Sequence, residues 1–141
     1  MAARIDTRLL RALRTHGHSR PLERGVVAFS RLGEHGGLWL ALSGAGWLLD
    51  RPRAALYGRA AATVAGAYGV NQLIKLAVRR RRPHLRDLPP LVHTQTQLSY
   101  PSAHAATSFA GARALSAAWP APPLYAAATL MTLTRPYVGV H

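Results

Sequence analysis

The chain alternates between apolar stretches and short charged or proline-rich segments, and this pattern predicts a series of helices. A strongly apolar run extends from Leu38 to Leu49, and a second helix is predicted from Ala54 to Val78, with an uncharged centre at residues 60–74. Both apolar cores are short against the ~20 residues that cross a bilayer, although flanking residues and long arginine side chains extend such segments. Membrane insertion is therefore an interpretation that their length alone does not establish.

The segment that follows the second predicted helix is polar. Residues 79–90 are charged and rich in proline, so the helix that begins at Ala54 should end near Arg82, because the residue before a proline disfavours the helical conformation. Residues 91–100 are predicted to form a polar loop.

Two more helices are predicted in the last third of the chain. One should run from Ser102 to about Trp119, and an apolar helix should run from Leu124 to about Tyr137. No stretch alternates with the period of a β-strand, so the predicted fold class is all-α. The prolines expected to end the first of these helices are Pro120, Pro122 and Pro123.

The N-terminal segment is basic and amphipathic. Residues 4–14 fit a helix of the kind that lies flat on an anionic bilayer, and they also fit an ordinary surface helix packed on a soluble core. We therefore divide the chain into a basic amphipathic segment, residues 1–35, and a helix bundle, residues 36–141. The apolar side of the predicted helix carries Ile5, Leu9, Leu10 and Leu13, and the basic side carries Arg4, Arg8, Arg11 and Arg14.

The charge balance of the chain is extreme. Eighteen Lys and Arg residues oppose five Asp and Glu residues, which gives a formal net charge of +13 over 141 residues. Such a surplus implies an anionic partner, and nucleic acid, an anionic membrane surface and a phosphorylated substrate all qualify. The chain has no cysteine, which excludes disulfides and thiolate metal sites.

Lys75 and Arg82 form the first of three short motifs that carry chemistry. They are seven residues apart, so they should share one helix face and converge on one phosphate. The four arginines at 79–82 fit equally a juxtamembrane basic anchor or a nucleic-acid patch. Lys75 fits those alternatives less well, because it lies inside an apolar stretch, where a cation is a candidate functional residue.

The second motif, Pro101-Ser102-Ala103-His104, has the features of a helix N-terminus. Ser102 is a good N-cap, and the N–H groups of a first helical turn favour an anion. A histidine here lies beside whatever the helix end binds and suits proton transfer near neutral pH. The alternative is a capped helix with an incidental histidine.

The third motif, Arg135 and His141, comes at the end of the last apolar helix. An arginine there could hold a phosphate while the histidine attacks phosphorus, and such nucleophilic catalysis divides one difficult displacement into two easier ones. The alternative is an arginine and a histidine that simply mark the end of a helix.

Taken in this order, the motifs resemble those of the type 2 phosphatidic acid phosphatases, a family related to the vanadium haloperoxidases and acid phosphatases. The family's motifs read Lys-x6-Arg-Pro, then Pro-Ser-Gly-His, then Ser-Arg-x5-His-x3-Asp. Ala103 and Thr134 stand where the family usually has glycine and serine. The matching residues are Lys75, Arg82 and Pro83, then Pro101, Ser102 and His104, then Arg135 and His141.

The resemblance implies a role for each matching residue. His141 would be the nucleophile and form a phosphohistidine, and His104 would protonate the leaving group. Water would then hydrolyse the intermediate, with no metal and no cofactor. The residues that would bind the phosphate oxygens or place N–H groups beside them are Lys75, Arg82, Ser102, Ala103 and Arg135.

The resemblance also implies that the chain is incomplete. The family's aspartate, which would orient His141, falls four residues beyond it, and a last helix of the bundle would follow. Ala103 adds a Cβ beside the phosphate, which is a mild change where the backbone is helical. We therefore expect an all-α, multi-helix membrane bundle that is truncated before its last helix, with residues 36–141 as its phosphatase part.

Substrates in the membrane branch of this family are lipid phosphates, such as phosphatidic acid and polyprenyl phosphates or pyrophosphates. The resemblance therefore implies a multi-pass protein of the plasma membrane and no nucleic-acid partner. The side of the membrane on which the site lies, the lipid and the oligomeric state stay open.

A finer resemblance concerns one branch of the family. Residues 31–36, followed by Trp39, are similar to actinobacterial decaprenylphosphoryl-phosphoribose phosphatases, as are residues 74–84 and 98–105. The polar positions 34 and 35 would then line the mouth of the substrate site, or they would form an ordinary polar loop before a helix.

Other functions stay open at this point. A catalytically incomplete membrane fragment or pseudo-enzyme is motivated by the missing C-terminal part. A basic nucleic-acid-binding module is motivated by the charge of +13, but the sequence has no recognisable reader motif and its apolar segments need burial. A vanadium haloperoxidase is a more distant alternative.

Overall fold

The computed structural model of the chain describes residues 15, 19–80, 91 and 98–140. Two short 3-10 turns, Glu34–Gly36 and Arg51–Arg53, join the first three helices. No β-strand occurs in the described ranges, so the predicted all-α class is confirmed for them. The helices of this part are α1 (Arg20–Leu32), α2 (Gly37–Leu49), α3 (Ala54–Val78), α4 (Ala103–Leu115) and α5 (Ala121–Tyr137).

Helix α1 was not predicted as a separate element, because its start is polar and contains a proline. The Oγ of Ser19 accepts a hydrogen bond from the N–H of Leu22 at 3.4 Å, which caps the helix. Pro21 lies in the first turn, where a missing N–H costs nothing. The predicted helix at residues 4–14 lies outside the described residues.

Helices α2 and α3 confirm the two elements predicted from the apolar runs. The predicted end of α3 near Arg82 is wrong, because the helix stops at Val78 and Arg79 adopts a left-handed conformation with φ of 50°. The N–H of Arg79 then bonds to the Lys75 carbonyl at 3.0 Å. A left-handed cap is usually a glycine, so an arginine there gave no sequence signal.

Helix α4 begins where the sequence predicted but ends earlier, at Leu115 rather than near Trp119. A turn of residues 116–120 follows, in which the N–H of Ala118 bonds to the Leu115 carbonyl at 2.9 Å. Two of the three prolines expected to end this helix lie instead in the first turn of α5, Pro122 and Pro123. They begin a helix rather than end one, because first-turn residues need no N–H donor.

The apolar core lies at one end of the bundle, between α2, α3, α4 and α5. Trp39 is fully buried on α2 and donates from Nε1 to the Oγ of Ser108 at 3.0 Å. A Cβ on Gly111 would lie 2.6 Å from the indole of Trp39, so a glycine is required for α2 and α4 to approach this closely. The side chains that fill this core are Trp39, Tyr57, Ala60, Val64, Ala112, Leu115, Leu124 and Ala128.

Helices α3 and α4 run antiparallel. The ring of Tyr57, at the start of α3, lies 5.8 Å from the ring of Trp119, which follows the end of α4. Further along, a Cβ added to Gly36 would lie 2.7 Å from the Cγ1 of Val64 and 3.3 Å from the Cβ of Thr107, so both side chains pack beside Gly36. The C-terminal part of α3 and the N-terminus of α4 therefore lie at the same end of the bundle, opposite the apolar core.

Among the helices of the described ranges, none has both the length and the hydropathy that a bilayer crossing requires. The multi-pass membrane arrangement stays a prediction, as do the division at residue 35 and the missing last helix.

Candidate active site

His104 lies in the first turn of α4, as the second motif predicted. Ser102 is the N-cap, and its Oγ accepts a hydrogen bond from the N–H of Ala105 at 3.4 Å. Ala103 is the first residue of the helix, where a helical backbone accepts a Cβ in place of the family's glycine. The prediction of a helix N-terminus beside the histidine is confirmed. The positive end of the helix dipole therefore lies at the site.

The imidazole of His104 is buried and bonded to α1. Its Nε2 lies 3.0 Å from the carbonyl oxygen of Ser30. A carbonyl only accepts, so Nε2 carries the proton and Nδ1 is left with the lone pair. This hydrogen bond crosses 74 residues of sequence and fixes both the tautomer and the orientation of the ring.

Arg135, near the end of α5, approaches the same place. Its Nη1 donates to the Oγ of Ser30 at 3.1 Å and lies 3.5 Å from the Nε2 of His104. Because that Nε2 already donates to the Ser30 carbonyl, the 3.5 Å contact is a close approach of two donors rather than a hydrogen bond. Ser30 is 1% exposed and holds both residues, one through its carbonyl and one through its hydroxyl.

Burial and neighbouring cations lower the pKa of His104 to about 4. Loss of hydration is the largest cause, the charge of Arg135 is the next, and the charges of Lys75 and His35 add to them. The hydrogen bond to Ser30 opposes this shift. His104 is therefore neutral at pH 7 until an anion enters the site.

Lys75 lies on the buried face of α3, with 7% of its surface exposed. Its charge helps to lower the pKa of His104, so Lys75 lies close enough to act electrostatically on that ring. The structure thus brings together three of the sequence-predicted residues, from three helices, at the N-terminus of α4. Their combined field favours an anion.

Two predicted site residues, Arg82 and His141, lie outside the described residues. The prediction that one helix carries both Lys75 and Arg82 on a single face is wrong, because α3 ends at Val78. Arg82 as a phosphate ligand and His141 as a nucleophile stay predictions.

Gly33 was not singled out in the sequence, yet it contacts His104. A Cβ at position 33 would lie 2.8 Å from the Cδ2 of His104 and would also meet the Sδ of Met131. Gly33 therefore leaves room for the imidazole. The roles of Gly33 and Ser30 both depend on contacts between segments that are far apart in the sequence. Such contacts give no local sequence signal.

His35 lies at the corner between α1 and α2 in a left-handed conformation, with φ of 54°. Its Nδ1 is 2.7 Å from the hydroxyl of Tyr68 on α3, and the two rings meet edge to face. A left-handed histidine is uncommon and needs support from its surroundings, which this contact provides. The placement of Glu34 and His35 at the mouth of the site stays a prediction.

Within the described residues, no group of three or more His, Cys, Asp or Glu side chains has the arrangement of a metal site. The charged side chains that meet at His104 are cations instead.

The PAP2 superfamily matches residues 56–141, and the chain belongs to this superfamily. The resemblance drawn from the three motifs is thereby confirmed. Decaprenylphosphoryl-5-phosphoribose phosphatase of Mycolicibacterium smegmatis is 35% identical over 117 residues, which are 83% of this chain and 65% of that protein. The enzymes of the same name from two Mycobacterium tuberculosis strains, CDC 1551 and H37Rv, are 43% identical over 114 residues, which are 79% of this chain and 63% of theirs.

The chain thus spans somewhat less than two thirds of the length of these relatives. No solved structure matches it significantly.

Proposed function

We propose that the natural protein is a phosphatase that removes a terminal phosphate from a lipid phosphate. The observation that carries this proposal is the meeting of His104, Arg135 and Lys75 at the N-terminus of α4. Fixed cations and helix N–H groups stabilise the negative charge that develops on phosphoryl oxygens during transfer. Membership of the PAP2 superfamily supports the same chemistry.

Phosphate binding would use charges that the fold has already placed. Lys75 contributes a point charge, and Arg135 presents a planar guanidinium suited to two oxygens of one phosphate. The hydroxyl of Ser102 and the backbone N–H of Ala103 add neutral donors at the helix end. Arg82 would complete this set.

The covalent step would begin with an imidazole nitrogen of His141 attacking phosphorus. A P–N bond forms while the P–O bond to the lipid-linked alcohol breaks, and His104 gives a proton to the departing oxygen. Water then attacks the phosphohistidine, gives a proton to His104, and releases inorganic phosphate. No proton is gained or lost over the cycle at either histidine.

His104 needs a bound anion to hold that proton. Its pKa of about 4 reflects burial first and then the charges of Arg135, Lys75 and His35. The charge of a bound phosphate offsets those cations, so binding raises the pKa of His104 toward neutrality. Binding of the substrate therefore favours the protonated form of His104, which is the form that can act as the general acid.

The substrate class is inferred from the relatives, whose name states that they act on decaprenylphosphoryl-5-phosphoribose. We propose a polyprenyl-linked sugar phosphate of this kind, with phosphatidic acid and polyprenyl pyrophosphates as the alternatives. Such a substrate resides in a membrane, and we propose the plasma membrane as the place of action. The outer face of α3 supports lipid contact, because Val70, Leu73 and Leu76 are 56%, 69% and 60% exposed.

Phosphate release in detergent micelles tests the proposal. The natural full-length protein would be given phosphatidic acid, undecaprenyl pyrophosphate or a prenyl-phosphoribose phosphate, each with EDTA present. Release that persists with EDTA and is lost in His104→Ala is expected, with the prenyl-phosphoribose phosphate preferred. Turnover abolished by EDTA would contradict the metal-free mechanism, and no release from any of the three would favour the pseudo-enzyme.

A further inference from the structure

Asn71, the asparagine on α3, is buried without a hydrogen-bond partner. It is 3% exposed, and neither its Nδ2 nor its Oδ1 has a hydrogen-bond partner among the described residues. Burying an amide in this way costs free energy, and such groups are rare in native proteins. A buried polar group of this kind therefore calls for a partner that binds to the folded protein.

The position of Asn71 along α3 places it at the anion site. Helix geometry puts it one turn before Lys75 on the same buried face. Val64 on α3 is level with Thr107 on α4, because both pack beside Gly36. Asn71 lies seven residues beyond Val64, about 10 Å along the axis, and Ala103 lies four residues back from Thr107, about 6 Å.

It follows that Asn71 is level with the start of α4, just beyond Ala103. The buried face of α3 changes character there. Tyr57, Ala60 and Val64 pack in the apolar core, whereas Asn71 and Lys75 are polar and lie at the end that holds His104. The unpartnered amide thus lies between a helix N-terminus and a buried ammonium.

We propose that Asn71 is a further substrate-binding residue, whose Nδ2 donates a hydrogen bond to a phosphoryl oxygen of the bound substrate. This inference rests on the proposed phosphatase function. The amide is neutral, so it adds a donor without adding to the repulsion between Lys75 and Arg135. Its Oδ1 is one helical turn from Lys75, whose ammonium can donate to it when the site is occupied.

Binding of inorganic phosphate to the natural full-length protein in detergent tests this role, measured as the rise in thermal midpoint with phosphate concentration. Asn71→Leu removes both hydrogen-bonding atoms while keeping a side chain branched at Cγ, and Asn71→Asp keeps the shape but adds a negative charge. Gln72→Leu is the matched control, because it removes the adjacent amide, which faces another side of α3. Lys75→Met reports on the phosphate site itself.

Asn71→Leu is expected to weaken phosphate binding about 10- to 100-fold, the effect of losing a hydrogen bond to a charged group. Its midpoint without phosphate should not fall, because the lost amide has no partner to leave unpaired. Asn71→Asp should bind more weakly still, and Gln72→Leu should bind as the wild type does.

Three results would overturn the inference. If Asn71→Leu binds phosphate like the wild type while Lys75→Met does not, Asn71 has no contact with the ligand, although the proposed function stands. If the midpoint of Asn71→Leu falls without phosphate, the amide supports the fold instead. If the wild type shows no phosphate binding and Lys75→Met behaves identically, the proposed function and this inference both fail.

Discussion

The Nε2 atom of His104 lies 3.0 Å from the carbonyl oxygen of Ser30, a residue 74 positions earlier in the chain. The hydroxyl of the same serine accepts a hydrogen bond from Arg135 at 3.1 Å. One residue of α1 therefore orients both the proposed proton donor and a proposed phosphate ligand. Helix α1, which precedes the matched part of the family, is thus a structural part of the site.

Ser30→Ala separates these two contacts. The carbonyl remains, so His104 keeps its tautomer, but Arg135 loses a hydrogen-bond acceptor. We expect kcat/KM for the lipid phosphate to fall about 10-fold, mainly through a higher KM, because a hydrogen bond to a charged group is worth about 1.5–3 kcal/mol. Steady-state phosphate release measures this. Ser43→Ala is the matched control, because Ser43 is equally buried but bonds to the carbonyl of Trp39, away from the site. An equal loss in both variants would contradict the assignment.

Gly33→Ala should displace His104. The new Cβ would lie 2.8 Å from the imidazole Cδ2 and would also meet Met131, so the ring or the helix must shift. We expect a loss of about 1–3 kcal/mol in the free energy of unfolding and a larger proportional loss of activity. Chemical denaturation and phosphate release measure the two effects.

Gly25→Ala is the control for that variant, since Gly25 lies within α1, which Gly33 caps, and nothing lies within 4 Å of a Cβ added there. It should keep full activity and gain about 0.5–1 kcal/mol of stability, because alanine is the better helix former. If Gly33→Ala kept full activity and gained stability as Gly25→Ala does, this would contradict the close packing of His104 against Gly33.

The pKa of His104 predicts a loss of stability in acid. The folded protein holds this pKa at about 4, below the ordinary value of 6.5, so between these values the unfolded chain binds more protons. The contribution is complete above pH 6.5 and is lost as the pH falls toward 4. It amounts to about 3 kcal/mol at most. Denaturation at pH 7 and pH 4.5 measures it.

His104→Gln should remove that part of the pH dependence. A wild-type profile identical to that of His104→Gln would show that the buried histidine is not the titrating group. Adding inorganic phosphate to the wild type should reduce the dependence, because the bound anion favours the protonated ring.

Lys75→Met should weaken phosphate binding. Lys75 is 7% exposed, and methionine occupies a similar volume without the positive charge. We expect a phosphate affinity at least about 10-fold lower, measured as the rise in thermal midpoint with phosphate concentration. Arg59→Met, on the exposed side of α3, should bind phosphate as the wild type does. An unchanged affinity in Lys75→Met would contradict the assignment of Lys75 to the phosphate site.

The elements that the sequence predicted well are those with strong local signals. The apolar run predicted a helix from Ala54 to Val78, which are the observed limits of α3. The expectation that this helix continues to near Arg82 was wrong, because Arg79 forms a left-handed cap. The prolines at 122 and 123 were read as stop signals, but the same residues also suit a first helical turn. A proline between two helical segments can therefore end the first helix or begin the second, and the local sequence does not distinguish the two.

The candidate site shows a similar division. His104, Arg135 and Lys75 belong to recognisable motifs, and their convergence was predicted from the resemblance. Ser30 and Asn71 were not singled out. Ser30 acts through a carbonyl that every residue possesses, and the importance of Asn71 appears only when its amide is seen to lack a partner.

The buried face of α3 is apolar in its N-terminal half and polar in its C-terminal half, so the two halves should differ in how readily they open locally. Amide protons near Tyr57 and Val64 should exchange with solvent slowly, because dense apolar packing must open first. Those near Asn71 and Lys75 should exchange faster in the empty protein, since their polar side chains add little cohesion there. Occupancy by phosphate should slow that exchange, so that the ligand completes the ordering of one end of the helix.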